Sequence, residues 1–381
     1  MEIKIVKTID EFNEIRQGWN ELSSDSVFQA PFYSWYWYYK WWTYLSSDNE
    51  LYVICVTDNN LLLAIAPLMK VRMSLKGLPA IQISFIDNGI SPRNHIIYRN
   101  NNRSENAVKL ILKFLIDNKS EWDLIFLRSV ESSASYLKLL KGNSRINLII
   151  EKGLRSPFIE IQKDFEIYLS EVFNATQRRA RKRGLKKVSR EGEYKVEFYK
   201  KPDEIGTALN YVFQVSRKSW KGNIKTDMAA SLKSKSFYEE ITAYFAILGQ
   251  VHLWILFLNN NAIAADYFLY EGNKIYFLIN DFDQDYTRLS PGQALLYHVL
   301  EYYHSEKIKE FDFGGDDLDY KKKWATGFRQ HCNIQIFSKR PYSNFLYLCK
   351  TKVLPILRYN SLKIKNRIIK SKKHDEVYEE K

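Results

Sequence analysis

The chain has 381 residues, 45% hydrophobic and 15% aromatic, with a formal net charge of +13; that length exceeds one ordinary core and accommodates two domains. No apolar run reaches the 18 residues a spanning helix needs, and the opening MEIKIVKTIDEFNEI lacks the apolar centre of a signal peptide. Three scattered cysteines (Cys55, Cys332, Cys349) and six histidines without ligand spacing suit a reducing compartment and neither a disulfide framework nor a metal site, so a cytoplasmic, metal-free protein is expected.

In chain order, the aromatic run FYSWYWYYKWW (32–42) sets Trp35, Tyr38, Tyr39 and Trp42 at helical spacing. It predicts an N-terminal helix with those residues as its core face, or else a sugar-stacking platform. LYVICV (51–56) and LLLAIAPLMKV (61–71) flank Asp58-Asn59-Asn60, a hairpin signal. AIQISFID then leads into Gly89-Ile90-Ser91-Pro92, a helix-period segment AVKLILKFLIDN, and the strand WDLIFL. The second half repeats this order: HLWILFL, Asn259-Asn260-Asn261, AIAADYFLY, KIYFLIN, Ser290-Pro291, a helix and EFDF. Asn60 to Ser91 is 31 residues and Asn260 to Ser290 is 30, which argues for a duplicated α/β unit. The boundary is expected near 150–160, after NLIIEKG. This gives domains at 1–155 and 156–345 and a basic tail at 346–381.

Charge is uneven. Arg178–Arg190 holds eight basic residues and Lys350–Lys373 nine, both without an acid. Such runs suit anionic partners (cofactor phosphates, a phosphorylated or lipid-linked substrate, a membrane surface, nucleic acid) or are simply solvated faces. The tail's mixture of Ile and Leu with lysines fits a basic amphipathic helix on an anionic membrane, a plain surface helix, or a disordered tail.

The halves differ at the turn before the helix. The second has Arg288-Leu289-Ser290-Pro291-Gly292-Gln293-Ala294, the first Ser91-Pro92-Arg93-Asn94-His95. A strand feeding a glycine loop onto a helix N-terminus makes a phosphate site, and the bulky Arg-Asn-His does not admit one. The second half is therefore expected to hold a nucleotide-like cofactor and the first to be structural or substrate-shaping. Asp266 is conspicuous as an acid inside an apolar strand, which is costly unless it faces a cleft or is paired. Gly314-Gly315-Asp316-Asp317 follows a strand's C-terminal end, a usual place for site residues.

Several segments together resemble a known family: Ser219-Trp220-Lys221-Gly222, AIAADYFLY, NDFDQDYTRLSPG, FDFGGDDLDYKKKW, and the basic NATQRRARKRGLKK followed by YKVEFY. Phe28-Gln29-Ala30-Pro31-Phe32 and Trp35 add an entry signature. Over about 170–330 the chain resembles GNAT acyltransferases, in the tandem-GNAT branch of BioF2-like or cellulose-biosynthesis (CelD-type) acetyltransferases, relatives of the Fem aminoacyltransferases that build peptidoglycan cross-bridges. The resemblance implies an α/β (α+β) fold of two tandem GNAT-like domains, each a mixed twisted sheet flanked by helices. It implies acetyl-CoA or another acyl-CoA as cosubstrate, its pantetheine arm beside Leu278, Ile279 and Asn280. The pyrophosphate would rest on Arg288, Ser290, Gly292, Gln293 and Ala294. The loop departs from the family pattern in having one glycine and a donor-less Pro291, which Arg288 offsets with charge.

Amine acylation needs a base, a stabilised carbonyl oxygen and a proton for the leaving thiolate. Amides of Leu278–Asp281 are the expected oxygen donors, and Asp266, Asp281 or Asp283 the expected base. Tyr320-Lys321-x-x-Trp324 matches a Fem-type pattern in which Lys321 neutralises charge and Tyr320 protonates the leaving group; equally, Tyr320 and Trp324 form one packed helix face. Trp220, Lys221, Asp281 and Asp316 are expected around the acceptor. The leading reading is an acyl-CoA-dependent N-acyltransferase acting on an amino group of a sugar or cell-envelope polysaccharide precursor, with a lipid-linked acceptor allowing peripheral membrane contact. The alternative is a Fem-like transferase whose basic helix grips aminoacyl-tRNA, and a third is a non-catalytic binding protein.

Overall fold

The computed structural model describes residues 1–354; the part of the basic tail beyond lies outside the described residues. Fifteen strands are described. The first half contributes β1 (Glu2–Val6), β2 (Glu50–Leu51), β3 (Val53–Asp58), β4 (Leu61–Ala66), β5 (Leu68–Leu75), β6 (Leu78–Phe85), β7 (Ile97–Tyr98) and β8 (Leu124–Glu131). Then come β9 (Ile146–Glu160), β10 (Tyr194–Tyr199), β11 (Val251–Leu258), β12 (Asn261–Glu271), β13 (Lys274–Phe282), β14 (Glu310–Asp312) and β15 (Gly327–Ser338). One sheet has the order β1-β3-β4-β7; the other runs β10-β11-β12-β13-β14-β9-β15-β8-β6-β5-β2. Helices flank these mixed sheets, as the expected α/β class requires.

β11 illustrates why the second-half strands read as continuous apolar runs. Leu253, Ile255 and Phe257 pack with helices Pro202–Lys218 and Leu232–Ile247, while Trp254, Leu256 and Leu258 pack under helix Pro291–Ser305. Successive side chains point to opposite faces, and here both faces are covered.

The two halves repeat in detail. Asn59 and Asn60 adopt φ of 48° and 62°, and Asn259 and Asn260 adopt 48° and 65°, the left-handed pair of a tight hairpin. Each hairpin has a register shift just before its turn, at Val56/Thr57 and at Leu256/Phe257. Each third strand gains a parallel neighbour, β8 for β6 and β14 for β13.

Three features differ from the sequence expectation. The predicted strand 61–71 breaks at Pro67, which has no N–H for the ladder, so β4 and β5 enter different sheets. The strand read at NLIIEKG (147–153) runs on to Glu160, because Phe158–Glu160 pairs β14 and Ile146–Phe158 pairs β15. The 155/156 division thus falls within β9, and β15 lies between β9 and β8. Finally, helix Trp35–Leu45 buries Trp35, Trp37, Tyr38 and Trp41, with Tyr39 and Trp42 only partly covered. It is packed from two sides, by Phe12 and Trp19 and by Phe237 of helix Leu232–Ile247, so its buried surface is wider than one stripe.

Candidate active site

The site starts from a fault in the sheet. β13 and β14 pair in parallel only through Lys274–Tyr276 and Glu310–Asp312. β13 then continues to Phe282 with β12 as its strand partner, while β14 gives way to Phe313-Gly314. Gly314 has φ +80°, and a Cβ there would lie 2.8 Å from the Phe277 carbonyl oxygen, so the close turn away from β13 requires glycine. The strands part into a V with its apex at Tyr276 and Asp312. On the V side, the backbone of Leu278, Ile279 and Asn280 has no strand partner.

A β-bulge decides which side chains face which way. The β12–β13 register shifts at Tyr267/Phe268 and leaves Leu278 without a partner. One extra residue reverses the facing of everything after it, so Asn280 rather than Ile279 stands opposite Asp266. Asn280 Nδ2 donates to Asp266 Oδ1 at 2.6 Å, and Asp266 Oδ2 has no partner among the described residues. Asp266 is 0% exposed, and burial pushes its carboxyl well above the usual carboxylate range, only partly opposed by Asn280. Burial thus favours its protonated, uncharged form over the carboxylate. The Tyr320 phenol is pushed up first by burial and further by the acidic side chains nearby, so it stays protonated.

Asp281 faces the other way. It stands opposite Ala265, one rung along, and therefore on the reverse face from Asp266. Ser216 Oγ donates to Asp281 Oδ2 at 2.6 Å, Lys221 Nζ lies 2.7 Å from Asp281 Oδ1, and Lys218 Nζ lies 2.9 Å from Asp283. These contacts clamp the Ser216–Lys221 segment to the end of β13 and leave Trp220 53% exposed beside it. Lys321 and Asp316 are brought together: the amine donates to the Phe313 carbonyl and to Asp316 Oδ1, both at 2.8 Å, bracing the loop at the apex. Trp324 is fully buried against Phe173 and Tyr297.

The phosphate loop is poorer in donors than expected. The amide of Ser290 bonds back to Thr287, those of Gln293 and Ala294 bond to the Ser290 carbonyl, and Pro291 has none. Gly292 is left as the amide of this stretch that can serve a ligand. An added Cβ there would sit 3.4 Å from Phe282 and 3.8 Å from Asn280, so Gly292 borders the V. Arg288 is 72% exposed at its side chain and turns to Glu191 at 2.7 Å.

Sequence reasoning located the basic run but not its place. Helix Gly184–Val188 lies against the start of helix Pro291–Ser305, so closely that a Cβ on Gly184 would fall 3.2 Å from Ala294. Lys187 donates to the Arg288 carbonyl from that helix. One cation, Lys187, thus reaches the loop from a segment 101 positions earlier.

Residues 175–322 match a family model described as an acetyltransferase (GNAT) domain. No curated protein matches the chain in sequence. Among solved structures, one of FemX is similar over 91% of this chain and 99% of its own at 13% identity, with a TM-score of 0.58. The C-terminal domain of an Agrobacterium fabrum protein assigned as a lysylphosphatidylglycerol synthetase is similar over 90% and 97% at 10% identity, TM-score 0.54. A Bacteroides thetaiotaomicron protein of unknown function is similar over 89% and 100% at 10% identity, TM-score 0.51. Among the described residues no helix is long and apolar enough to cross a membrane, and no group of three metal-ligating side chains occurs.

Proposed function

We propose that this acyltransferase, with its GNAT domain at 175–322, moves an acyl group from acyl-CoA (acetyl-CoA in the simplest case) to the amino group of a sugar or cell-envelope polysaccharide precursor. The observation that carries the reading is the V between β13 and β14, with its bulge at Leu278, inside the matched segment. An extended pantetheine arm fits an opened strand edge as an added strand does, and CoA supplies the activated thioester. The free edge at Leu278, Ile279 and Asn280 binds that arm and stabilises negative charge on the carbonyl oxygen. As the C–N bond forms and the C–S bond breaks, the nitrogen loses a proton and the thiolate gains one; Tyr320 or Asp266, close to the V, supplies the thiolate's proton and is reprotonated by the one the nitrogen releases. Trp220, Lys221 and Asp281 frame the acceptor side, and the Lys321–Asp316 pair holds the apex loop in place. Gly292, Gln293 and Ala294 with Ser290 and Arg288 form the phosphate end, its charge supplemented by Lys187.

In the same reading, 1–155 and 156–345 are two GNAT-like units that exchange strands. The protein works in the cytoplasm, at the membrane's inner face when the acceptor is lipid-linked. A second reading rests on the inward-turned loop amides beside a dense basic helix, which suit a polyanionic donor such as aminoacyl-tRNA better than one pyrophosphate. Isothermal titration of acetyl-CoA against the full chain and against Gly292→Trp tests the choice. Binding that the variant abolishes supports the CoA reading. Absent binding, together with retention of aminoacyl-tRNA that falls steeply with salt, replaces it by the second.

A further inference from the structure

A second built site lies on the opposite face of the same strands. The face of β13 and β14 that carries Phe277 and Phe311 packs under helix Pro291–Ser305. The reverse face, carrying Lys274, Tyr276, Glu310 and Asp312, looks toward the N-terminal segment Val27–Tyr33. Between them is a polar cavity of about 200 Å³, room for roughly six or seven waters at ~30 Å³ each.

Its floor contains donors without acceptors. Tyr33 is 2% exposed and its hydroxyl has no partner among the described residues; Arg93 is 6% exposed and its Nε has none. Arg93 is otherwise held rigidly, with Nη2 on Asp312 Oδ2 at 2.5 Å. The rim carries Lys274 and Glu131, and Arg329 is tied to Glu310 and, at 3.1 Å, to Asp312. Three cations (Arg93, Lys274, Arg329) thus meet three carboxylates (Glu131, Glu310, Asp312). A bare phosphate would add uncompensated charge, and a neutral apolar group would leave Tyr33 and Arg93 unsatisfied. What fits is a small dipolar molecule with an anionic end at Arg93 and Tyr33 and a cationic end toward Glu131.

We propose that this cavity is a binding site for a free amino acid with a small side chain, its carboxylate on Arg93 Nε and Tyr33 Oη and its ammonium toward Glu131. The site is separate from the V, so the proposal does not depend on the identity of the acyl donor. It has a mechanical link to the V all the same: Asp312, which anchors Arg93, also accepts the Gly314 amide at 2.9 Å, at the apex.

The test is calorimetric titration of the full chain with glycine and L-alanine, using acetate and methylammonium as half-ligands. Tyr33→Phe removes one hydroxyl at constant ring volume, and Glu131→Gln removes the partly exposed rim charge. The expected result is that the amino acids bind, the half-ligands bind far more weakly, and each variant loses about tenfold in affinity, the worth of one hydrogen bond to a charged group. Acetate binding as tightly as glycine would overturn the dipolar assignment. No amino-acid binding at millimolar concentration, or binding indifferent to both variants, would make the cavity a water-filled seam. Should Tyr33→Phe fail to fold, Glu131→Gln decides alone.

Discussion

Asp266→Asn isolates one proton. The wild-type carboxyl is fully buried, bonded to Asn280 on one oxygen and held above its usual range by burial, so the folded protein keeps this proton to higher pH than the unfolded chain does. An unfolded aspartate ionises near pH 3.9. The folded state therefore binds one proton more than the unfolded state once the pH rises past that value. Unfolding free energy then falls with pH at about 1.4 kcal/mol per unit on this group's account, until the folded carboxyl itself titrates. Asparagine reproduces the protonated acid: its carbonyl accepts from Asn280 and its amide occupies the place of the hydroxyl, but it cannot titrate. Urea unfolding of both proteins at pH 5 and pH 6 should show Asp266→Asn gaining about 1.4 kcal/mol on wild type over that single unit, since other groups cancel in the difference. Parallel curves would refute the reasoning, because they would mean that the carboxyl is already ionised in the fold.

Lys321→Met removes the amine that braces the apex; we expect about 1–3 kcal/mol lost in urea unfolding together with a drop in turnover, and unchanged turnover would free Lys321 from any part in shaping the V. Arg93→Met leaves Asp312 buried with Arg329 and the Gly314 amide still bound, so the cost should fall near the low end for a broken buried pair, about 3 kcal/mol. Adding Asp312→Asn should recover part of that loss, and a double variant worse than additive would contradict the pairing.

What the sequence made legible was local. Asn59-Asn60 and Asn259-Asn260 announce hairpins by their tolerance of left-handed backbone, and alternating or continuous apolar runs give most strands their places. Ser290-Pro291-Gly292 correctly marks a helix start, because Pro at the first helical position signals one wherever it sits. The rest depends on partners distant in sequence. No local pattern at Leu278 declares a bulge, yet the bulge is what aims Asn280 at Asp266. Arg93 and Asp312 are 219 positions apart, and the first-half loop that seemed merely to have lost its phosphate role instead places an arginine against the end of β14. Nor does the composition of 178–190 say that Gly184 comes to rest on the helix that starts at Pro291, with Lys187 on the Arg288 carbonyl.

The position of β15 governs how such a chain can be made. β8 and β9 emerge from a ribosome long before Gly327–Ser338, the strand that lies between them, has been synthesised. Until then both present unpaired edges, the kind of surface that templates association with other chains. The N-terminal half therefore cannot finish folding during synthesis, and the last described strand acts as a closing key for the first part of the molecule. A chain cut before Gly327 should be recovered as aggregate rather than as a folded first half, and a β15 peptide supplied separately should rescue its solubility.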